Sequence, residues 1–182
     1  MSKPLSEMSL EELWELFPII LTKHNDKWND WYEEERDFLG KVLAQNDYCA
    51  IHHIGSTAIQ GIWAKPTVDI LIEIPQNCNM EKIRDRLVEC GYLCMSMERD
   101  RISLNKGYTE HGFAERVFHV HLRFEGDRDE VYFRDYMIKH PELASQYEKL
   151  KLSLWKKFEH NRDGYTDAKS EFIKKYTEVA KK

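Results

Sequence analysis

Two short stretches hold residue types that could do chemistry together. Gly55-Ser56 breaks an apolar stretch, and thirteen residues after Ser56 an acid, Asp69, stands inside the β-branched run Thr67-Val-Asp-Ile-Leu-Ile-Glu-Ile74. A glycine at a strand end lets the backbone come close to a ligand, and free N–H groups beside a serine hydroxyl can hold phosphate oxygens. A carboxylate among Val68, Ile70 and Ile72 is costly to bury unless it is paired or binds a metal. Strand alternation puts Asp69, Leu71 and Glu73 on one face and the three β-branched residues on the other. Asp69 is therefore the leading catalytic candidate. Its structural alternative is an ion pair to Lys65 or an arginine. Glu73, near the strand end, reads as structural.

His119 and His121 share one face of another alternating run, with Val120 on the opposite face. Two imidazoles at this spacing can hold a divalent ion, or one can act as a base beside a phosphate. With Asp69 on a neighbouring strand they would form a His₂-carboxylate set, a recognised ligand combination. His121 joins Asp69 as the expected catalytic pair. Of His52 and His53, which face opposite ways, at most one can look into a site. Lys65 could offset phosphate charge; Arg101, Arg123 and Arg134 are further phosphate ligands by type, with surface salt bridges as their commoner role.

The elements that must position these residues follow from periodicity. Ser9-Leu-Glu-Glu12 has the form of a capping box that starts a short helix through Leu16. Residues 17–21 read as extended. Trp28, Trp31, Tyr32, Glu35, Phe38, Leu39, Val42 and Leu43 recur at helical spacing, giving a long helix to about Gln45. Its aromatic stripe is assigned to the core and its acidic run Glu33-Glu-Glu35 to a solvated face. Strands are expected over 48–54, 67–74, 92–97, 101–106 and 116–124. A short helix or turn is expected over 57–63, and a helix capped by Asn79 ends at Gly91. Helices then cover 129–139, 141 to about 158, and 165 to about 179, with 161–164 as a loop. Strands in the middle with helices on both flanks predict one α/β (α+β) domain. Residues 1–18 form an N-terminal extension and 129–182 are helices packed on the sheet.

Composition narrows the partners. A chain of 182 residues with 42% hydrophobic and 32% charged residues is ordinary for one soluble domain. The net charge of -5 disfavours binding along extended nucleic acid, but one local pocket can still be basic. No apolar run is long enough to span a membrane, and no secretory signal is visible at the N-terminus, so a cytoplasmic location is expected. Cys49, Cys78, Cys90 and Cys94 lack metal-knuckle spacing and read as reduced thiols.

Gly55-Ser56 followed by Asp69 resembles the start of the polymerase-β type of nucleotidyltransferase. That pattern has a Gly-Ser turn, a strand with two carboxylates two residues apart, and a third carboxylate on a later strand; the acids hold metal ions that assist an in-line attack. Here Leu71 stands where the second acid belongs. His53-Ile-Gly-Ser-Thr57, Lys65-Pro66 with Asp69, His119-x-His121, Phe133-Arg-Asp-Tyr136, His140-Pro-Glu-Leu143 and Tyr165-Thr-Asp-Ala-Lys169, in this order, resemble the GrpB family. The resemblance implies a nucleotidyltransferase-like mixed sheet flanked by helices. A carboxylate and two histidines converging beside a phosphate-type turn lead to the expectation of a metal-dependent nucleotidyl- or phosphoryl-transferase acting on a small molecule or nucleotide. Gly55, Ser56 and Lys65 would bind phosphate, and Asp69, His119 and His121 would hold a divalent ion such as Mg, Mn or Zn. The alternative is a catalytically degenerate module that binds a nucleotide or a protein and assists another enzyme.

Overall fold

The computed structural model describes residues 3–182. Five strands, β1 (Ala50–Ile54), β2 (Val68–Ile74), β3 (Leu93–Met97), β4 (Arg101–Thr109) and β5 (Gly112–Phe124), form one mixed sheet in the order β1-β2-β5-β4-β3. Only the central β2–β5 pair is parallel. That pairing places Asp69 opposite His119 and Leu71 opposite His121. The sheet therefore has one apolar face and one chemically mixed face. The apolar face carries Val68, Ile70, Ile72, Val120, Leu122, Ile102 and Leu104, all buried. It packs on the helices α2 (Lys27–Val42) and α3 (Met80–Glu89), whose Trp28, Tyr32, Leu39, Ile83 and Leu87 complete the main core. On the opposite side lie α4 (Asp129–Lys139), α5 (Pro141–Trp155) and α6 (Arg162–Ala180). The short α1 (Leu10–Leu16) begins at a reciprocal capping box between Ser9 and Glu12, as the sequence predicts.

Four expectations need correction. Glu35 does not lie on a solvated face: it is buried, accepting a hydrogen bond from the Tyr92 hydroxyl at 2.6 Å and facing the Lys106 ammonium at 2.8 Å. The strands expected over 101–106 and 116–124 are longer and form a hairpin, pairing Tyr108 with Phe113. The hairpin arms between residues 106 and 116 carry no clear strand signal in the sequence, and a register shift at Lys106/Tyr108 interrupts their pairing. Residues 162–164 are helical and not a loop, because the Asn161 side chain accepts from the Gly164 N–H at 2.8 Å and caps α6 three residues earlier than expected. The long α2 stops at Val42, short of Gln45.

The turn after β1 is built around a steric constraint. Gly55 has φ 72° and ψ -173°, a region open essentially to glycine alone. A Cβ added there would lie 2.4 Å from Oδ2 of Asp69. Gly55 thus makes room for the carboxylate across the β1–β2 pair. His53 and Thr57 brace the same turn. The Thr57 hydroxyl donates to the Thr67 carbonyl at 3.2 Å, so the His53 Nε2–H donates to Thr57 Oγ1 at 3.0 Å. The Tyr32 ring stacks on His53 at 4.7 Å. Urea unfolding should show Gly55→Ala destabilised by about 2–4 kcal/mol, from the strained φ plus overlap with Asp69. Adding Asp69→Ala should recover part of that loss, whereas strictly additive effects would contradict the contact.

Candidate functional site

Asp69 sits on the mixed face with its side chain 27% exposed. His119 Nδ1 lies 3.2 Å from Asp69 Oδ1, and His121 Nε2 lies 3.8 Å from the same oxygen. Burial alone would push the Asp69 carboxyl up, but the hydrogen bonds and charge of the two imidazoles hold it well below the usual carboxylate range. Burial dominates the other way at His119, lowering it to about 4 against the pull of Asp69. Near neutral pH the pair is therefore an ionised carboxylate and a neutral imidazole. The second ring nitrogen fixes the tautomer. A guanidinium can only donate, and Arg162 Nη2 lies 3.3 Å from His119 Nε2; the Tyr108 hydroxyl is 2.8 Å from that same nitrogen. Nε2 is the acceptor, and Nδ1–H donates to Asp69. His121 Nδ1 faces Ser103 Oγ at 3.4 Å.

The dyad forms the floor of a cleft of about 550 Å³ between the sheet and the C-terminal helices. Gly55, Ser56, Lys65, His119 and His121 all line it, so every site residue expected from the sequence converges there. The far wall is α6. Helical spacing turns Arg162, Thr166, Lys169, Ile173 and Thr177 inward, and Lys174 also lines the cleft. Phe133, Tyr147 and Ile54 supply an apolar side.

The charges in this cleft are unequally matched. Glu130 is paired with Arg123, and Asp129 and Glu178 with Lys181. Among the described residues, Lys65, Arg162, Lys169 and Lys174 have no carboxylate within 4 Å. Lys65, half-buried, makes no side-chain hydrogen bond either. It is lowered to about 7, first by burial and then by repulsion from Arg162 and Lys169, with Asp69 pulling the other way. Arg162 leans over the Tyr108 ring and Lys169 over Tyr165.

Other polar residues lie elsewhere. Neither His52 nor His53 faces the cleft: His52 pairs with Glu73 at 2.8 Å, and His53 braces the turn. Glu73 also accepts from the Gly126 N–H at 3.0 Å, which makes it structural as expected. Arg101 forks onto Asp127, Arg123 faces Asp127 and Glu130, and Arg134 holds Asp135 and the His53 carbonyl at 2.6 Å. All three arginines are engaged in salt bridges, but Arg123 is buried, so its pairs are not the surface ones expected. The cleft cations that sequence reasoning missed are Arg162, Lys169 and Lys174. The spacing of 162, 166, 169 and 173 along one helical face was their signal; only its first member, Arg162, is hidden when 161–164 reads as a loop.

The residues present do not fit a metal held jointly by Asp69, His119 and His121. His119 already engages both ring nitrogens, and Leu71, in place of a second acid, is wholly buried. Among the described residues no three His, Cys, Asp or Glu side chains are grouped to hold an ion. All four cysteines are free, and no helix among the described residues is long and apolar enough to cross a membrane.

Known proteins share this architecture. The family model described as GrpB protein matches residues 18–179. The glutamate-rich protein GrpB of Alkalihalophilus pseudofirmus is 30% identical over 162 residues, covering 85% of this chain and 91% of that protein. The UPF0157 protein YqkA of Bacillus subtilis is 30% identical over 179 residues, covering 95% of this chain but 51% of YqkA. The crystal structure of the conserved protein GrpB from Enterococcus faecalis superposes with TM-score 0.74 at 29% identity, over 88% of this chain and 96% of that one. A Cid1 poly(U) polymerase bound to MgATP superposes with TM-score 0.51 at 14% identity, over 79% of this chain and 44% of that one, a likeness of fold. With residues 18–179 matched by the family model and its fold shared with a GrpB crystal structure, the chain belongs to the GrpB family and has a nucleotidyltransferase-like fold.

Proposed function

We propose that the cleft binds the phosphate groups of a nucleotide or a similar phosphorylated small molecule. The carrying observation is the set of cations, Lys65, Arg162, Lys169 and Lys174, that line one cavity without carboxylate partners. Lys65, Arg162 and Lys169 are half-buried and Lys174 is exposed at the edge; like charges held together repel, so the arrangement favours an anion between them. The cleft is of small-molecule size. Phe133 and Tyr147 offer an apolar wall for a base, and Ser56 adds a hydroxyl at the Gly-Ser turn.

Nucleotidyl or phosphoryl transfer is a second reading, favoured by the partly exposed, ionised Asp69 beside His121 at the cleft floor. An acceptor oxygen would form the new bond to phosphorus as the bond to the leaving phosphate breaks. His121 would take the acceptor proton, and Lys65 and Arg162 would offset the charge on the leaving group. A divalent ion held by Asp69, His119 and His121 would first require the His119 ring to leave Tyr108 and Arg162. Turnover of ATP or CTP that is lost in Asp69→Asn and His121→Gln would support transfer; binding without turnover would leave the binding role alone.

Two measurements check the phosphate reading. In calorimetric titrations with ATP and CTP, Lys65→Ala, Arg162→Ala and Lys169→Ala should each weaken binding by roughly tenfold. Wild-type affinity in all three would contradict it. Sulfate keeps a fixed charge over roughly pH 6–9, so its binding reports the protein alone. A bound anion favours protonated Lys65, whose value is about 7. Sulfate affinity should therefore be full below that pH and fall as pH rises through it. Lys65→Arg should flatten this step; the same step in Lys65→Arg would assign it to another group.

A further inference from the structure

A second cavity, of about 440 Å³, lies on the other side of the same histidines. Its roof is α1, through Leu10, Leu13 and Trp14, and its walls are β3 and β4. His119, His121 and Arg162 line both this cavity and the cleft, so they form a partition between the two. The roof is built by residues that precede the 18–179 region matched by the family model.

The floor of this cavity contains an unpartnered polar group. Asn105, opposite His119 in the β4–β5 register, is only 6% exposed. Among the described residues its carboxamide has no hydrogen-bond partner, and the residue lines the cavity. The carboxamide is not sealed off: it opens into the cavity, where a ligand group can reach it. The neighbouring surface is mostly apolar: Leu93 and Met95 of β3 and Leu10 of α1 are large hydrophobics left exposed. A carboxamide can both donate and accept, so it suits a hydroxyl, an amine or an amide on an otherwise apolar molecule.

We infer that this cavity binds a small, largely apolar molecule bearing a hydroxyl, amine or amide, which hydrogen-bonds Asn105 and presents that end to His119 and His121. This molecule would be a ligand distinct from the phosphates of the cleft, because the imidazole partition stands between the two. Placed there, the polar end meets the imidazole partition from the side opposite the phosphates.

The test uses the full chain and two fluorescent ring compounds, 2-naphthol and naphthalene, which differ by one hydroxyl. The wild type should bind 2-naphthol at least about fivefold more tightly than naphthalene. Asn105→Leu should remove that preference and leave the fold intact, since it replaces an unpartnered group by an apolar one of similar size. Met95→Glu, at a position 55% exposed and so tolerant of substitution, should weaken both compounds and leave ATP binding unchanged. Equal affinity of the wild type for the two compounds, no binding of either, or unaltered binding in Met95→Glu would overturn the inference. Retained 2-naphthol preference in a protein that binds neither ATP nor sulfate would support the cavity and overturn the reading of the cleft.

Discussion

The structure turns on keeping an ionised Asp69 inside a sheet whose other face is the main core. A buried carboxylate is tolerated only with donors aimed at it. His119 supplies one, and can do so while neutral because its far nitrogen accepts from Tyr108 and Arg162. The β1 turn must approach the same carboxylate, and only a residue without a Cβ permits it. The parallel pairing of β2 with β5, the glycine at position 55 and the start of α6 at Arg162 are therefore one connected arrangement.

That arrangement gives the cleft its polarity. The negative charge at its floor is already satisfied by imidazoles, whereas the cations around it are not satisfied by acids. Arg162 belongs to both networks: it donates to His119, yet its charge still raises the repulsion on Lys65. An incoming anion would relieve that repulsion. This explains how a chain with a net charge of -5 can present a locally basic pocket. It also separates this site from a two-metal transferase centre, where paired acids attract the cations that here come from lysine and arginine.

Much of this was legible in the sequence, because period-two alternation and a lone acid in an apolar strand are strong local signals. Asp69, His119 and His121 on one sheet face, and the convergence of Gly55, Ser56 and Lys65, follow from strand geometry and one correct pairing. Relations set by distant packing were not legible. Glu35 looked solvated because its partners, Tyr92 and Lys106, are 57 and 71 residues away. His119 looked like a free ligand because nothing local shows that Tyr108 folds back along a hairpin to meet it. Arg162 was lost to a misread helix start, where a single side-chain cap decides three residues. The metal expectation drew on residue types, and the hydrogen-bond geometry of His119 does not fit it.

The central claim is that Lys65, Arg162 and Lys169 together hold an anion, and crystals soaked in selenate test it most directly. Selenium anomalous scattering should place a peak in the cleft between these three side chains, absent from crystals of Lys65→Ala with Arg162→Ala. A map with no peak there, or with selenate only on the outer surface, would contradict the account.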